Sequence, residues 1–347
     1  MKYNLKNIKD ADVKNKTVLL RADLDVPLTS GKISDDFRLI TSLGTINYLL
    51  KQTRTIFIVG HLGRPEKEDK NLSLEIVAQW YAKEFRVQIS ELRIGEFNGW
   101  KIGEKLILLE NLRFFQGEEK NDEDFSKQLA SLADVYVDDA FASSHRAHAS
   151  IVGVTKYLSS FAGLRLEKEV EELAKVLENP KRPLVVIIGG AKIETKLPLV
   201  EKMHRFADYV LVGGEIAEND KVLLKVQHEK LTGKRSVLLV ADANGNLKDI
   251  TSKSAENFVQ IIQNAKTIVW NGPMGVTEEK ESQNGTNILA EGIVQTSADT
   301  IVGGGDTLSF LKEKNLLSKF SFVSTGGGAM LEFLSGEKLP GIEVLKD

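Results

Sequence analysis

The chain contains no cysteine among its 347 residues, which excludes disulfides, thiolate nucleophiles and zinc–thiolate sites. No stretch is apolar for long enough to span a bilayer, and Met1-Lys-Tyr-Asn-Leu-Lys-Asn lacks the apolar core of a signal peptide. A cytoplasmic protein with no membrane partner is expected. Excess positive charge is also missing: a net charge of −3 argues against nucleic acid or an acidic membrane as partner. Any anion site must therefore come from local clustering of basic groups. Neither a Gly-x-x-x-x-Gly-Lys-Ser/Thr loop nor a Gly-x-Gly-x-x-Gly after the first strand occurs, so a P-loop and a standard dinucleotide fold are both unsupported. Short repeats and low-complexity tracts are absent. What is present, 42% hydrophobic and 27% charged residues, suits a globular protein, and the length suits two α/β domains better than one core.

The first half alternates strand-like runs (Thr17 to Leu24, Thr55 to His61, Lys105 to Glu110, Asp134 to Asp138) with helical patterns (Phe37 to Lys51, Ser73 to Phe85, Asp122 to Leu132). Such alternation predicts parallel strands with crossover helices and a ligand at the carboxyl ends of the strands. Those ends read Arg21-Ala-Asp-Leu-Asp-Val-Pro27, Gly60-His-Leu-Gly-Arg-Pro65, Glu110-Asn-Leu-Arg-Phe114 and Asp138-Asp-Ala-Phe-Ala-Ser-Ser-His-Arg-Ala-His-Ala-Ser150. A lone arginine is usually a solvated surface residue. A parallel sheet would instead bring Arg21, Arg64, Arg113 and Arg146 to one edge, with His61 and His145 beside them and Arg38 able to join. Such a cluster suits a small, multiply charged anion, because guanidinium binds carboxylate and phosphate bidentately. His204 and His228 fall outside these loops and read as structural or surface residues.

A charged amphipathic helix from Arg165 to Leu177 is broken by two of the chain's seven prolines, Pro180 and Pro183, and marks the expected domain boundary. Beyond it, Leu184 to Ile188 reads as a strand buried on both faces. Gly189 and Gly190 end it, and Lys192 and Lys196 follow at a spacing that puts both on one side of a helical turn. Thr195 and Pro198 suit the start of the next helix. Taken alone this is an ordinary strand-to-helix turn. The arrangement recurs at Gly213-Gly214, Asn271-Gly-Pro-Met-Gly275, Gly303-Gly-Gly-Asp306 and Ser324-Thr-Gly-Gly-Gly328. Glycine turns at helix N-termini expose backbone N–H groups and the positive end of the helix dipole to an anion.

In this order the motifs resemble those of the phosphoglycerate kinase family from about Thr17 to Gly341. They are Arg-x-Asp-x-x-Val-Pro, His-Leu-Gly-Arg-Pro, Glu-Asn-Leu-Arg-Phe, Asp-Ala-Phe-x-x-x-His-Arg-Ala-His-Ala-Ser, Gly-Gly-Ala-Lys, Trp-Asn-Gly-Pro-Met-Gly-Val, Gly-Gly-Gly-Asp-Thr and Ser-Thr-Gly-Gly-Gly-Ala. The resemblance implies an α/β protein of two Rossmann-like parallel-sheet domains facing each other across a cleft. The expected division is a glycerate-binding domain over residues 1–164, a connector helix and linker over 165–182 and a nucleotide-binding domain over 183–338. Residues 339–347 are expected to return to the first domain.

The implied reaction is reversible phosphoryl transfer between 1,3-bisphosphoglycerate and ADP, giving 3-phosphoglycerate and ATP, with Mg²⁺ accompanying ADP or ATP and the enzyme acting as a monomer. Matched position by position, Asp23, Asp25, Arg38, His61, Arg64, Arg113, His145 and Arg146 fall on the glycerate side. Lys192, Lys196, Gly213, Gly214, Asn271, Glu278 (at the ribose), Gly303, Gly304, Gly305, Asp306 and Thr307 fall on the nucleotide side, with Asp306 at the metal. Arg38, Lys192, Lys196, Gly304 and Gly327 are the implied catalytic set.

Several positions depart from the family pattern. Asp25 and Asp138 stand where asparagine is usual, Ala142 replaces a glycine, and Thr195 lies where many relatives have an acidic residue. Glu215 replaces the third glycine of a Gly-Gly-Gly motif, Thr251-Ser-Lys-Ser254 replaces a Gly-Pro turn, and the region between them reads as shortened. Two alternatives follow: a binding relative with weakened catalysis, and a haloacid-dehalogenase-type phosphatase, whose Asp-x-Asp motif is mimicked by Asp23-Leu-Asp25 and whose metal pair by Asp138-Asp139.

Overall fold

A computed structural model describes residues 3–190, 196, 200–214 and 236–346. The chain divides into two units, Met1–Glu171 with Lys338–Asp347, and Glu172–Glu337.

The first unit is built on a seven-stranded sheet in the order Ile89–Ile94, Phe97–Ile102, Leu106–Leu109, Thr55–Val59, Thr17–Arg21, Val135–Asp138, Ser159–Ala162. From Leu106–Leu109 to Ser159–Ala162 every pairing is parallel, as the alternation of strand and helix patterns predicts. The interior strand Thr17–Arg21 is wholly buried, and its residues separate by parity into two cores. Val18 and Leu20 join Leu39, Ile46, Val77 and Tyr81 from the helices Phe37–Leu50 and Glu75–Phe85. Leu19 joins Phe57, Tyr136, and Phe125 and Leu129 from the helix Glu123–Ala130. A residue period of two on a strand covered on both faces produces this division.

Two features differ from the sequence expectation. The apolar runs outlast the strands: Thr17–Arg21 and Thr55–Val59 stop short of Leu24 and His61, although Ala22 and Leu24 remain buried. Burial continues into the loops because those loops are packed under the site. The sheet also has an antiparallel border, Ile89–Ile94 with Phe97–Ile102 and then Leu106–Leu109. Its outer strand is half exposed and charged, so it lacks the apolar run of the inner strands, and Gly95 makes the turn at φ 57°.

The tail lies on this unit. The Lys6 amide donates to the Leu345 carbonyl at 2.9 Å, the Gly341 amide to the Ser144 carbonyl at 2.9 Å, and Ile342 and Leu345 are buried. The helix Leu164–Glu178 carries the chain from the first unit into the second. Its first N–H groups are capped from the site loop, since Asp139 Oδ1 accepts from the amides of Arg165 at 2.8 Å and Leu166 at 3.2 Å.

The second unit has a six-stranded, all-parallel sheet in the order Val237–Val240, Tyr209–Val212, Leu184–Ile188, Thr267–Asn271, Asp299–Gly303, Phe322–Val323. The helices Ser252–Ile262, Asn284–Val294, Gly305–Glu313 and Gly327–Leu334 belong to it. The rewritten Thr251–Ser254 turn starts a helix, because Thr251 Oγ1 accepts from the Ser254 amide at 3.2 Å as the N-cap of Ser252–Ile262. Among the described residues, no helix is long and apolar enough to cross a membrane.

Candidate active site

The register of the first sheet places Arg21 beside Val59 and Asp138, so three carboxyl-terminal loops leave the sheet side by side. Side chains then tie the loops together. Asn111 lies under them with no exposure, donating from Nδ2 to the carbonyls of Leu62 at 2.8 Å and Leu72 at 2.9 Å. Its Oδ1 accepts from the Arg113 amide at 3.1 Å and starts the turn Leu112–Phe114. Glu110 accepts from Ser73 Oγ at 2.7 Å and from the Leu74 amide at 2.8 Å. Glu110 and Asn111 of the Glu-Asn-Leu-Arg motif are thus scaffold, and Arg113 is what they aim.

On that scaffold the eight expected glycerate-side residues come together. Arg113, buried, donates to the Gly63 carbonyl and pairs with Glu119 at 3.1 Å. Asp25 Oδ1 accepts from the Gly63 amide at 2.8 Å, while its Oδ2 stands 3.8 Å from both Arg38 Nη1 and His61 Nε2. Arg38 also donates to the Asp25 carbonyl. Arg146 Nη1 lies 3.4 Å from His61 Nε2, and its Nε donates to His145 Nε2 at 3.2 Å. Burial and the adjacent Arg64 guanidinium lower the Arg146 pKa. Arg64 itself is exposed. Asp23 is buried with both oxygens engaged, by the Ala142 amide at 2.9 Å and Ser143 Oγ at 3.4 Å. Burial raises its pKa against the opposing pull of Arg38.

Arg21 behaves differently from the other arginines. It is 1% exposed and spends its donors inside the protein, on Ser150 Oγ, the Ala22 carbonyl and His61 Nδ1. Around it lie Glu118, reached through Ser150, its strand neighbour Asp138, and Asp139, all buried. Burial raises the Glu118 pKa, and carries those of Asp138 to about 7 and Asp139 to about 6. Sequence reasoning misses Glu118 and Ser150. Nothing in the run Gly-Glu-Glu-Lys separates a buried glutamate from a solvated one.

In the second sheet the register sets Ile188, Asn271 and Gly303 side by side, so the glycine turns emerge in a row. Here the loops pack backbone against backbone. A Cβ on Gly189 would lie 2.2 Å from the Pro273 carbonyl, one on Gly272 (φ 92°) 2.1 Å from the Gly189 carbonyl, and one on Gly214 2.6 Å from the Gly190 amide nitrogen. These glycines are required for packing. Gly305 and Gly328, in the first turns of their helices, have nothing within 4 Å of a Cβ position, so backbone N–H groups there border open space.

Lys196 donates from Nζ to the Gly189 carbonyl. Asn271 is buried and reaches the Gly327 carbonyl at 3.3 Å, and Thr307 Oγ1, also buried, accepts from the Gly272 amide at 3.0 Å. Both brace the turns. Asp306 and Glu278 are exposed, the former in the first turn of Gly305–Glu313. Lys192, Thr195 and Glu215 lie outside the described residues.

One carboxyl edge lined by guanidinium and imidazole, with a second lined by glycine turns at helix N-termini, defines an α/β protein with two strand-end edges suited to anionic ligands. Across residues 8–236 and 219–337 the chain matches the family model for phosphoglycerate kinase. It is 38% identical to the phosphoglycerate kinase of Dictyoglomus turgidum over 394 aligned positions, covering 100% of this chain and 99% of the relative. With that of Baumannia cicadellinicola it shares 40% identity, covering 97% of each chain. Among solved structures, phosphoglycerate kinase from Coxiella burnetii superposes with a TM-score of 0.80 at 34% identity, and that from Pyrococcus horikoshii with 0.79 at 30%, each covering 98% of both chains. The chain belongs to the phosphoglycerate kinase family. The 394 aligned positions against 347 residues leave about 47 at which the Dictyoglomus protein has residues and this chain has none. The two family-model segments overlap at residues 219–236, within the stretch that reads as shortened.

Proposed function

We propose that the chain is an active phosphoglycerate kinase, a monomer of the cytoplasm, that moves a phosphoryl group between 1,3-bisphosphoglycerate and ADP. In the forward direction the acyl P–O bond breaks, a β-phosphate oxygen of ADP forms the new P–O bond, and the glycerate leaves as a carboxylate. No protein nucleophile is needed, because the transferring group passes between two substrate oxygens. The protein's work is in-line positioning and neutralisation of the equatorial oxygens.

In this reading Arg64, Arg113, Arg146 and His61 hold the phosphoglycerate, and Arg38 stands by its reacting end. Asp23 fixes the Ala142-Ser143 turn of the same site. On the nucleotide side Lys192 and Lys196 and the N–H groups at Gly304, Gly305 and Gly327 would take the phosphates, and Glu278 the ribose. Among the described residues no three His, Cys, Asp or Glu side chains group to hold a metal. A single exposed carboxylate such as Asp306 nevertheless fits Mg²⁺, which keeps waters and completes its shell with nucleotide phosphates. Bound there with ADP or ATP, it would neutralise phosphate charge.

The observation that carries this reading is the convergence of Arg38, Arg113, Arg146 and His61 around Gly63 and Asp25. A coupled assay for ATP formation from 1,3-bisphosphoglycerate and ADP tests it. Turnover supports a working kinase; substrate binding without turnover points to the binding relative. The phosphatase alternative is disfavoured because both oxygens of Asp23 are already held.

A further inference from the structure

We propose that Arg21, held by Ser150 and Glu118, is a positioning residue that sets His61 as an Nε2–H donor to the bound phosphoglycerate. The inference rests on the reading above for the identity of the ligand.

The chain of contacts is continuous and buried. Glu118 accepts from Ser150 twice, from Oγ at 2.6 Å and from the amide at 3.0 Å. Ser150 Oγ, its hydrogen directed to Glu118, accepts from Arg21 Nε at 2.9 Å. Arg21 Nη1 donates to the Ala22 carbonyl, which leaves Nη2 facing His61 Nδ1 at 2.8 Å. A guanidinium can only donate, so Nδ1 must accept. A neutral imidazole has one hydrogen, and here it must sit on Nε2.

That assignment changes the meaning of the next contact. Arg146 Nη1 lies 3.4 Å from Nε2, but both atoms carry hydrogens and cannot bond to each other. The nearest carboxylate oxygen, Asp25 Oδ2, is 3.8 Å from Nε2, beyond hydrogen-bond length. Among the described residues neither of these two donors has an acceptor within hydrogen-bond distance, and an anionic oxygen placed between them accepts from both. Protonating Nδ1 would set two donors against each other at the Arg21 contact. The lowered pKa of His61, due first to burial and then to Arg21 and Arg146, agrees with a neutral ring.

The test is ¹⁵N NMR of imidazole-labelled protein, which reads the tautomer without turnover, joined to steady-state kinetics. The parent should show a pyridine-like Nδ1 and a pyrrole-like Nε2 for His61 near neutral pH. In Ser150→Ala, and in Glu118→Gln should that variant fold better, the two nitrogens should shift toward a mixture of tautomers. KM for 3-phosphoglycerate should rise about tenfold, the loss of one hydrogen bond to a charged ligand, with the effect falling on KM rather than kcat. A pyrrole-like Nδ1 in the parent overturns the proposal, as does a parent-like tautomer and KM in a folded relay variant. An inactive parent with the expected tautomer would strike the kinase reading and leave the positioning of His61 standing.

Discussion

At the carboxyl edge of the first sheet, the groups that can meet an anion are side chains, and all but the exposed Arg64 are held by another side chain or by a loop carbonyl. At the same edge of the second sheet they are mostly backbone N–H groups, and the side chains near them, Asn271 and Thr307, face the loops. The first unit must therefore keep buried cations and buried carboxyl groups in balance: Arg21 and Arg113 against Asp23, Glu118, Asp138 and Asp139. The second must keep Cβ atoms out. One site should be sensitive to charge and pH, the other to volume.

The sharpest way to break this comparison is Gly272→Ala. At φ 92° and 2.1 Å from the Gly189 carbonyl, the added methyl meets backbone in a conformation that alanine rarely adopts. The substitution should destabilise the protein by about 3 kcal/mol or more and raise the KM for ATP at least tenfold. Denaturant unfolding with nucleotide kinetics checks this. A stable variant with parental ATP affinity would show that the turns tolerate volume.

Asp138→Asn probes the other side. In the folded protein Asp138 keeps its proton to about pH 7, whereas unfolding returns its pKa toward 3.8. Between these limits the folded state holds more protons than the unfolded state, so stability falls as pH rises through the window. The substitution should remove a loss on the order of 3 kcal/mol between pH 5 and 8, keeping the Ala140 amide contact through its Oδ1. Unfolding of parent and variant at both pH values measures it; equal losses would place the pH dependence elsewhere.

The sequence exposes these two designs unequally. The parallel order, the strand-end loops and the glycine rows can be read from period and turn chemistry, because each is a local pattern. The antiparallel border cannot, since its outer strand is neither apolar nor regular. Nor can the burial of Glu118 or the inward use of Arg21. Both depend on which residues stack beneath the loops, and an arginine inside a motif reads the same whether it meets ligand or protein. The motifs put Asn271 and Thr307 at the nucleotide; their observed partners are loop atoms, which no local pattern reveals.

Asp25→Asn should have a smaller effect. Either side chain can accept from the Gly63 amide, so the change falls on the second atom, 3.8 Å from Arg38 and His61. Removing a carboxylate beside an anion site should lower the KM for 3-phosphoglycerate about two- to threefold, and the gain should shrink at high salt. A higher KM would make Asp25 a working member of the arginine network.

The most direct test of the division between the two edges is Arg64→Ala. Arg64 is exposed beside Arg146, so its loss should leave the fold intact. Steady-state kinetics should show the KM for 3-phosphoglycerate raised about tenfold and the KM for ATP changed by less than about twofold. An unchanged 3-phosphoglycerate KM, or an equal shift in the KM for ATP, would contradict a side-chain anion site confined to the first unit.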